Sequence, residues 1–155
     1  MKRVVTIYLV VAYAIVMFGC SRQTEEGQVK KVIADIQAAG EEKDVKTIRQ
    51  NLSMSYRDPQ GFDYQGIHGL LVGYFFRYPK IKVYIRDLEV SVLNTQADAV
   101  FQAVLTSAEN AGSLTDVIPQ LLGVWNFDVT LKKEDSDWKV TSARWQEASL
   151  MKSEE

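Results

Sequence analysis

The sequence predicts an α+β fold in which helices come first and an antiparallel sheet, covered on one face, follows them. Up to Tyr78, apolar residues recur three or four residues apart, as they do along amphipathic helices. From Ile81 onward, apolar and polar residues alternate, which is the pattern of strands with one buried face. Helices that are separated from strands along the chain are typical of the α+β class.

Two helices open the predicted domain. The apolar stripe of the first consists of Val29, Val32, Ile33 and Ile36. Gly40 is expected to end this helix, because glycine readily adopts the left-handed conformation of a helix C-terminus. Asp44 is a suitable N-cap for a short second helix. The residues that the second helix directs inward are Val45, Ile48 and Leu52.

A turn and a third helix follow. Pro59 and Gly61 interrupt the helical spacing and predict a turn or a small hairpin. The stripe of the third helix is Ile67, Leu70, Leu71, Tyr74, Phe75 and Tyr78. Pro79 ends this helix. Because the aromatic residues of "GYFFRYP" have helical spacing, we expect them to be buried in the core.

The first strand is long and bent. Its apolar residues change parity between Ile85 and Leu88, so a β-bulge is expected at Arg86 and Asp87. A second strand has Ala99, Phe101, Ala103 and Leu105 on one face. Residues 109–123 form a long connection with one helical turn ahead of Pro119. The third strand has Trp125, Phe127, Val129 and Leu131 on one face, and "EDSD" turns the chain into a fourth strand at 138–146.

Composition limits the class of protein. The apolar fraction of 46% and the charged fraction of 25% are those of an ordinary globular protein, and the length favours one domain. The net charge is −2 and no stripe of Lys and Arg is present, so we expect no nucleic-acid partner.

The pattern of residues at the N-terminus predicts an export signal. Lys2 and Arg3 precede the uncharged run 4–19, which has the length of a signal-peptide core and is shorter than the ~20 residues of a membrane-spanning helix. The run ends at Gly19 and at Cys20, the only cysteine. This ending resembles the lipobox of bacterial lipoproteins, although Phe18 is bulkier than the small residue usual there. The alternative is an uncleaved N-terminal anchor.

The lipobox resemblance implies that the protein is located at a membrane. Cleavage between Gly19 and Cys20 would leave diacylglycerol on the Cys20 thiol, and several acyl chains hold a protein on a bilayer where one alone is marginal. Ser21 is not the Asp that retains lipoproteins at the inner membrane of enteric bacteria, which implies the outer membrane, facing the periplasm. Without Lys2 and Arg3, 16 of the 18 basic residues remain against 20 acidic ones, so we expect anionic lipid to repel the mature surface, which offers no polybasic clamp.

These features divide the chain into four parts. We expect a signal peptide at 1–19, the lipidated cysteine and a polar tether at 20–27, one domain at 28–148 and a polar tail at 149–155.

The predicted domain resembles the nuclear transport factor 2-like, or SnoaL-like, superfamily. The resemblance covers residues 28–147, and its most recognisable part is the final hairpin "FDVTLKKEDSDWKVTSARW". It implies a cone in which a strongly curved sheet wraps around the helices and leaves an apolar pocket at the open end. It also implies a homodimer through the outer face of the sheet. The superfamily contains isomerases, dehydratases, cyclases and epoxide hydrolases beside members without chemistry, so the fold does not decide the function.

Three residues are candidates for catalysis. Asp58 is a candidate base, since burial raises the pKa of a carboxyl group, and Tyr56 is a candidate donor to an oxyanion. The alternative is that Asp58, directly before Pro59, only forms the turn while Tyr56 packs. His68, the only histidine, is a candidate proton shuttle or a residue of the helix surface.

Aromatic residues are candidates for the pocket wall. The pocket candidates are Tyr56, Tyr74, Trp125, Phe127 and Trp145. Trp125 and Phe127 can belong either to the pocket or to the outer face of the sheet, because parity does not distinguish the two faces. One histidine and one cysteine that is already assigned predict no metal site, and we expect no cofactor.

Three functional hypotheses follow. The first is a non-catalytic lipoprotein that binds a small apolar ligand or an envelope protein. The second is a small isomerase, dehydratase or hydrolase that uses Asp58 with Tyr56 or His68. The third is a structural dimerisation module of an envelope complex, with a pocket filled by its own side chains.

Overall fold

The computed structural model describes residues 24–107 and 121–148. Within these ranges the chain forms three helices, α1 (Glu25–Glu42), α2 (Val45–Gln50) and α3 (Gly66–Arg77). They precede four strands, β1 (Lys82–Leu93), β2 (Gln96–Thr106), β3 (Leu121–Glu134) and β4 (Asp137–Glu147). The predicted α+β class is confirmed. The predictions for the signal peptide, Cys20, the turn before Pro119 and the C-terminal tail lie outside the described residues.

The strands form one antiparallel sheet in the order β1-β2-β3-β4, which is curled but not closed. The bulge predicted in β1 is confirmed, since the register with β2 shifts between Arg86 and Glu89 and Asp87 has a φ of 53°. A second bulge, between Thr130 and Leu131 opposite β4, adds to the bend. Bulges increase the local twist of a strand, so together they curl the sheet around the helices.

The first helix is longer than predicted at both ends. It begins at Glu25, with the Thr24 side chain accepting a hydrogen bond from the backbone N–H of Gly27, so residues 25–27 are helical and not part of a tether. The expected end at Gly40 is wrong, because Lys43 adopts the left-handed conformation and its N–H bonds to the carbonyls of Ala39 and Gly40. A lysine can take this position at a modest energetic cost.

The other predicted boundaries are close to those of the structure. Asp44 caps α2 as expected, and it accepts a hydrogen bond from the Thr47 N–H at 3.0 Å. The hairpin around Pro59 is present, with the Asp58 N–H donating to the Phe62 carbonyl. β3 begins at Leu121, so the last three residues of the expected connection belong to the strand.

The core occupies one end of the concave side of the sheet. We call this region the closed end, and its members are Val29, Ala97, Ala99, Leu131 and Trp138. All of them are buried, and α1 packs here against β4. Glu25 fixes the contact, because its carboxylate accepts hydrogen bonds from Trp138 Nε1 at 2.8 Å and from Lys133 Nζ at 2.6 Å.

The opposite end is loosely packed. We call it the open end, and its members are Gly40, Leu71, Tyr74, Phe75, Ile81 and Leu105. The expectation that α3 is buried in the core is wrong, since Ile67 is its one buried residue. Phe76 is 91% exposed. The helical period of α3 is real, but most of its expected stripe faces a cavity and not a filled core, while Leu70 is exposed.

A candidate apolar cavity between the helices and the sheet

A cavity of about 260 Å³ lies between the helices and the concave face of the sheet. Its helical wall is mainly aliphatic and includes Ile33, Ile36, Ile48, Leu52 and Leu71. Its sheet wall includes Val83, Ile85, Ala103, Phe127 and Trp145. The volume is slightly below the roughly 300 Å³ at which pockets for small molecules begin. The cavity can therefore enclose a small molecule or part of a larger one.

Aromatic rings line one side of this cavity. Phe101 and Phe127 occupy directly opposite positions in β2 and β3, and their rings stack with centroids 5.2 Å apart. Trp145 continues the row, with its ring 6.4 Å from that of Phe127. Phe62, from the hairpin before α3, stacks on the other side of Trp145 at 6.3 Å. Such contacts fix the rings in place, so this side of the cavity is preformed.

Two polar groups at the cavity wall, on Gln37 and Tyr56, already have hydrogen-bond partners. Gln37 donates from Nε2 to the Val83 carbonyl at 2.6 Å. Tyr56 donates from its hydroxyl to Asp58 at 2.9 Å. Among the described residues that line the cavity, none carries a formal charge. A charged ligand would lose its hydration there without gaining a counter-ion, which is costly.

Tyr56 and Asp58 form a buried pair at the base of the cavity. Their exposed fractions are 3% and 7%. One Asp58 oxygen accepts from Tyr56, while the other accepts from the Phe62 N–H at 2.9 Å and closes the hairpin. Burial raises the pKa of Tyr56 far above its ordinary value, and the hydrogen bond to Asp58 raises it further. Tyr56 therefore remains a neutral donor throughout the physiological range.

Asp58 and His68 do not converge in the cavity, although Tyr56 contacts Asp58. Tyr56 lines the cavity, but Asp58 lies behind it, outside the lining, and acts as the turn residue of the alternative interpretation. His68 is exposed on α3 and is likewise outside the lining. A general base must come within hydrogen-bond reach of a substrate proton, either directly or through one water. Asp58 and His68 have no such access to a common atom in the cavity.

Four of the five pocket candidates line the cavity, namely Tyr56, Tyr74, Phe127 and Trp145. Trp125 does not. It pairs with Ala103 and so shares the concave side of the sheet, but it lies nearer the edge of the open end. An ideal Cβ at Gly123 would lie 2.5 Å from Trp125 Nε1, so the indole closely covers this glycine.

Sequence reasoning missed the aliphatic half of the wall. Ile33, Ile36 and Ile48 were expected to be inward-facing core residues, and they do face inward, but all three also border the cavity. Helical spacing shows which residues face the interior, yet it contains no information on whether the interior is filled. Within the described part of the chain, no cluster of three or more histidine, cysteine or acidic residues could hold a metal ion.

Tyr74 and Tyr78 mark the edge of the open end. Their ring centroids are 4.6 Å apart, and burial raises the pKa of Tyr74, with Tyr78 adding to the effect. The Lys43 ammonium donates to the Pro79 carbonyl directly after this pair, which joins the end of α1 to the end of the α3 segment.

The fold is shared with proteins of known structure. A nuclear transport factor 2-like protein of unknown function from Pseudomonas putida KT2440 has a TM-score of 0.67 at 12% identity, over 78% of this chain and 84% of that chain. The domain has the nuclear transport factor 2-like fold. A candidate dehydratase of the same family from Streptomyces avermitilis has a TM-score of 0.65 at 13% identity, over 80% of this chain and 96% of that chain.

Other comparisons limit what this likeness means. Bdellovibrio bacteriovorus Bd1075 has a TM-score of 0.65 at 14% identity over 79% of this chain, but the chain spans only 40% of that protein. No family model matches the sequence, and no curated protein matches it. At such low identities the likeness concerns the fold, and the function has to be argued from the cavity.

Within residues 24–107 and 121–148, no helix combines the length and the apolar character that crossing a membrane requires.

Proposed function

We propose that this chain is a membrane-anchored bacterial lipoprotein whose domain binds an uncharged, apolar small molecule without chemical change. The observation that supports the ligand is the cavity, whose lining is apolar apart from a few polar groups, of which those of Gln37 and Tyr56 already have hydrogen-bond partners. The anchor rests on Gly19 and Cys20 in the sequence.

The absence of a charged group from the described lining favours an uncharged ligand. Desolvating an apolar molecule is favourable by about 25 cal/mol for each Å² of surface removed from water. A carboxylate or an ammonium group would need a buried partner to offset its desolvation. Sterol-like, terpenoid or hydrocarbon-chain ligands therefore fit the cavity better than organic acids or amines do.

A pair of dyes tests this preference. N-phenylnaphthylamine and anilinonaphthalene sulfonate have nearly the same ring system, but the second carries a charge. We expect the domain from Ser21 to Glu155 to bind the neutral dye at least tenfold more tightly, as measured by fluorescence titration. Equal affinities, or tighter binding of the sulfonate, would contradict an uncharged ligand.

A cavity-filling variant locates the binding. Ala103 lines the cavity, while Val100 is on the same strand but exposed on its other face. Ala103→Phe should abolish binding of the neutral dye, and Val100→Phe is the matched control that should leave it unchanged. Native mass spectrometry of the same domain should show a mass excess that disappears on denaturation and is absent from Ala103→Phe. Unchanged dye binding by the folded Ala103→Phe protein would place the dye elsewhere.

A test of the anchor is independent of the ligand. Cys20→Ala should abolish palmitate labelling and release the protein from membranes. Membrane retention without labelling would identify an uncleaved helical anchor instead.

A second candidate function, a small pocket enzyme, is favoured by one observation: Tyr56 both lines the cavity and donates to Asp58. This hypothesis expects Asp58→Asn to abolish turnover of a molecule captured by the domain. Full turnover by a folded Asp58→Asn protein would eliminate this version of the enzyme.

The third hypothesis expected a pocket filled by the chain's own side chains, and the cavity gives it no support.

A further inference from the structure

The side of α3 that faces away from the cavity is apolar and exposed. Phe76 is 91% exposed, Val72 47% and Leu70 38%. Gly69 and Gly73 lie between them, and a Cβ on either would meet no atom within 4 Å. We call these five residues the outer α3 face. A surface helix normally carries polar residues on its solvent side, whereas α3 is apolar on both sides.

The sequence segment that contains this face differs in the sign of its charge from the whole chain. The sequence has no acidic residue between Asp63 and Asp87, but it has Arg77, Lys80, Lys82 and Arg86 there. Glu41 pairs with Lys82 at 2.9 Å, and Lys80 also has an interaction partner, so Arg77 is the cation on which the argument rests. Arg77 lies in the last turn of α3, directly beside Phe76, and is exposed. A net charge of −2 for the chain therefore hides a basic and apolar region.

This combination of charge and apolar surface selects the partner. A second copy that packed through the same face would bring a second Arg77 to it, with no acidic residue on α3 to compensate. An anionic bilayer offers negative phosphates to Arg77 and an apolar region to Phe76 and Val72. We propose that the outer α3 face docks on the surface of an anionic lipid bilayer.

The position of the chain before α1 is compatible with this docking. Cys20 precedes Thr24 by four residues, which span at most about 14 Å. α1 then runs for 18 residues, or about 27 Å, and its far end meets the segment after α3 through Glu41 and Lys82. With α1 parallel to the membrane plane, the lipid on Cys20 and the outer α3 face can reach the same surface.

Docking would connect the bilayer to the cavity. The inner side of α3 contributes Ile67, Leu71, Tyr74 and Phe75 to the cavity wall. One helix would then have the bilayer on its outer side and the cavity on its inner side. An apolar ligand could pass between them around α3 without crossing water. This last step rests on the proposed ligand-binding function, whereas the docking itself does not.

The test places an environment-sensitive nitrobenzoxadiazole dye on the full-length chain reconstituted in vesicles. Phe76→Cys reports the outer α3 face, and Val100→Cys and Leu93→Cys are controls at exposed apolar positions of β2 and β1. The chain without an added cysteine is labelled in the same way, and its fluorescence measures any dye attached to Cys20. All three substituted positions are exposed, so the variants should keep the stability of the parent chain, which thermal melting checks.

In phosphatidylethanolamine vesicles that contain phosphatidylglycerol, the dye at position 76 should increase several-fold in intensity. Brominated acyl chains should quench it, and the dyes at 93 and 100 should behave as in water. The double variant Arg77→Glu/Lys80→Glu, or vesicles without phosphatidylglycerol, should reduce the response at 76. Equal solvent exposure at 76 and 100 would overturn the proposal. The dye at position 76 could instead be shielded by a second copy of the chain. In that case, dilution of labelled with unlabelled protein would change its signal and brominated lipid would not, and the face would be assigned to a dimer.

Failure of docking can be distinguished from failure of ligand binding. The Ala103→Phe substitution should remove dye binding in the cavity while the response at position 76 persists. If the parent chain docks but does not bind the neutral dye, the ligand-binding proposal fails and the docking proposal stands. If the parent chain binds the neutral dye but does not dock, the docking proposal fails and the ligand-binding proposal stands.

Discussion

The closed end and the open end of this domain are built from the same four strands but are packed in different ways. At the closed end, Val29 and Leu131 are fully buried and Trp138 is buried and hydrogen-bonded to Glu25. At the open end, the strands border a cavity, and α3 buries only Ile67. Stability is not uniform across a structure, and regions with few buried contacts open at low energetic cost. We infer that the closed end holds the fold together and leaves the open end available for binding.

The largest predicted difference between the two ends comes from one leucine at each. Leu131→Ala should lower the free energy of unfolding by about 2–5 kcal/mol, because it leaves a cavity in a filled core. Leu71→Ala, which only enlarges an existing cavity, should lower it by less than about 1 kcal/mol. Urea denaturation of both variants measures the difference. Equal losses would mean that the open end contributes as much to stability as the closed end.

The second prediction concerns the buried pair between the two ends. Asp58→Ala should lower the free energy of unfolding by about 1–3 kcal/mol, because the Tyr56 hydroxyl and the Phe62 N–H both lose their acceptor. Asp63→Ala is the matched control, since Asp63 also accepts from two backbone N–H groups but is exposed. Its loss should be smaller in urea denaturation. A larger loss for Asp63→Ala would show that the buried pair does not stabilise the hairpin.

Much of this fold could be predicted because local patterns determine it. The change of parity at Arg86 and Asp87 identified the bulge, and Asp44 identified the start of α2. The end of α1 could not be predicted from the position of a glycine. Gly40 stays helical because the hydrogen bonds to Ala39 and Gly40 that end the helix are made by Lys43, three residues later.

The site was less predictable than the fold. Their size made Phe127 and Trp145 candidates for the wall, and both line the cavity, but parity alone did not distinguish the pocket from the outer face of the sheet for Phe127. The emptiness of the cavity depends on where α3 sits relative to the sheet, which is a tertiary property. For the same reason the sequence could not show that Asp58 lies behind Tyr56, and not in the cavity.

The third prediction uses pH to probe the buried pair. Burial raises the pKa of Tyr56 in the folded state, whereas an unfolded tyrosine releases its proton near pH 10. Above that pH the unfolded state holds fewer protons than the folded state, so stability should fall as pH rises, by at most about 1.4 kcal/mol for each pH unit. Below about pH 9 the contribution of Tyr56 should not vary.

Tyr56→Phe supplies the control for this pH dependence. The variant should lose part of the decline between about pH 9 and about pH 11, as measured by urea denaturation at each pH. Tyr74, whose pKa burial also raises, remains in both proteins and accounts for part of the slope that is left. Identical slopes for the two proteins would show that Tyr56 ionises freely in the folded state.

The smallest predicted effect has the opposite sign and belongs to the open end. Gly73 is in the middle of α3, and a Cβ there would meet no atom within 4 Å, so alanine fits without strain. Gly73→Ala should raise the free energy of unfolding by about 0.5–1 kcal/mol, because alanine loses less backbone entropy than glycine when the helix forms. Gly66→Ala is the contrasting control, since its Cβ would lie 3.3 Å from the Phe62 ring. If Gly73→Ala also slows release of the neutral dye, then the flexibility of α3 controls access to the cavity. If the protein is stabilised but release of the dye is unchanged, then the ligand enters elsewhere.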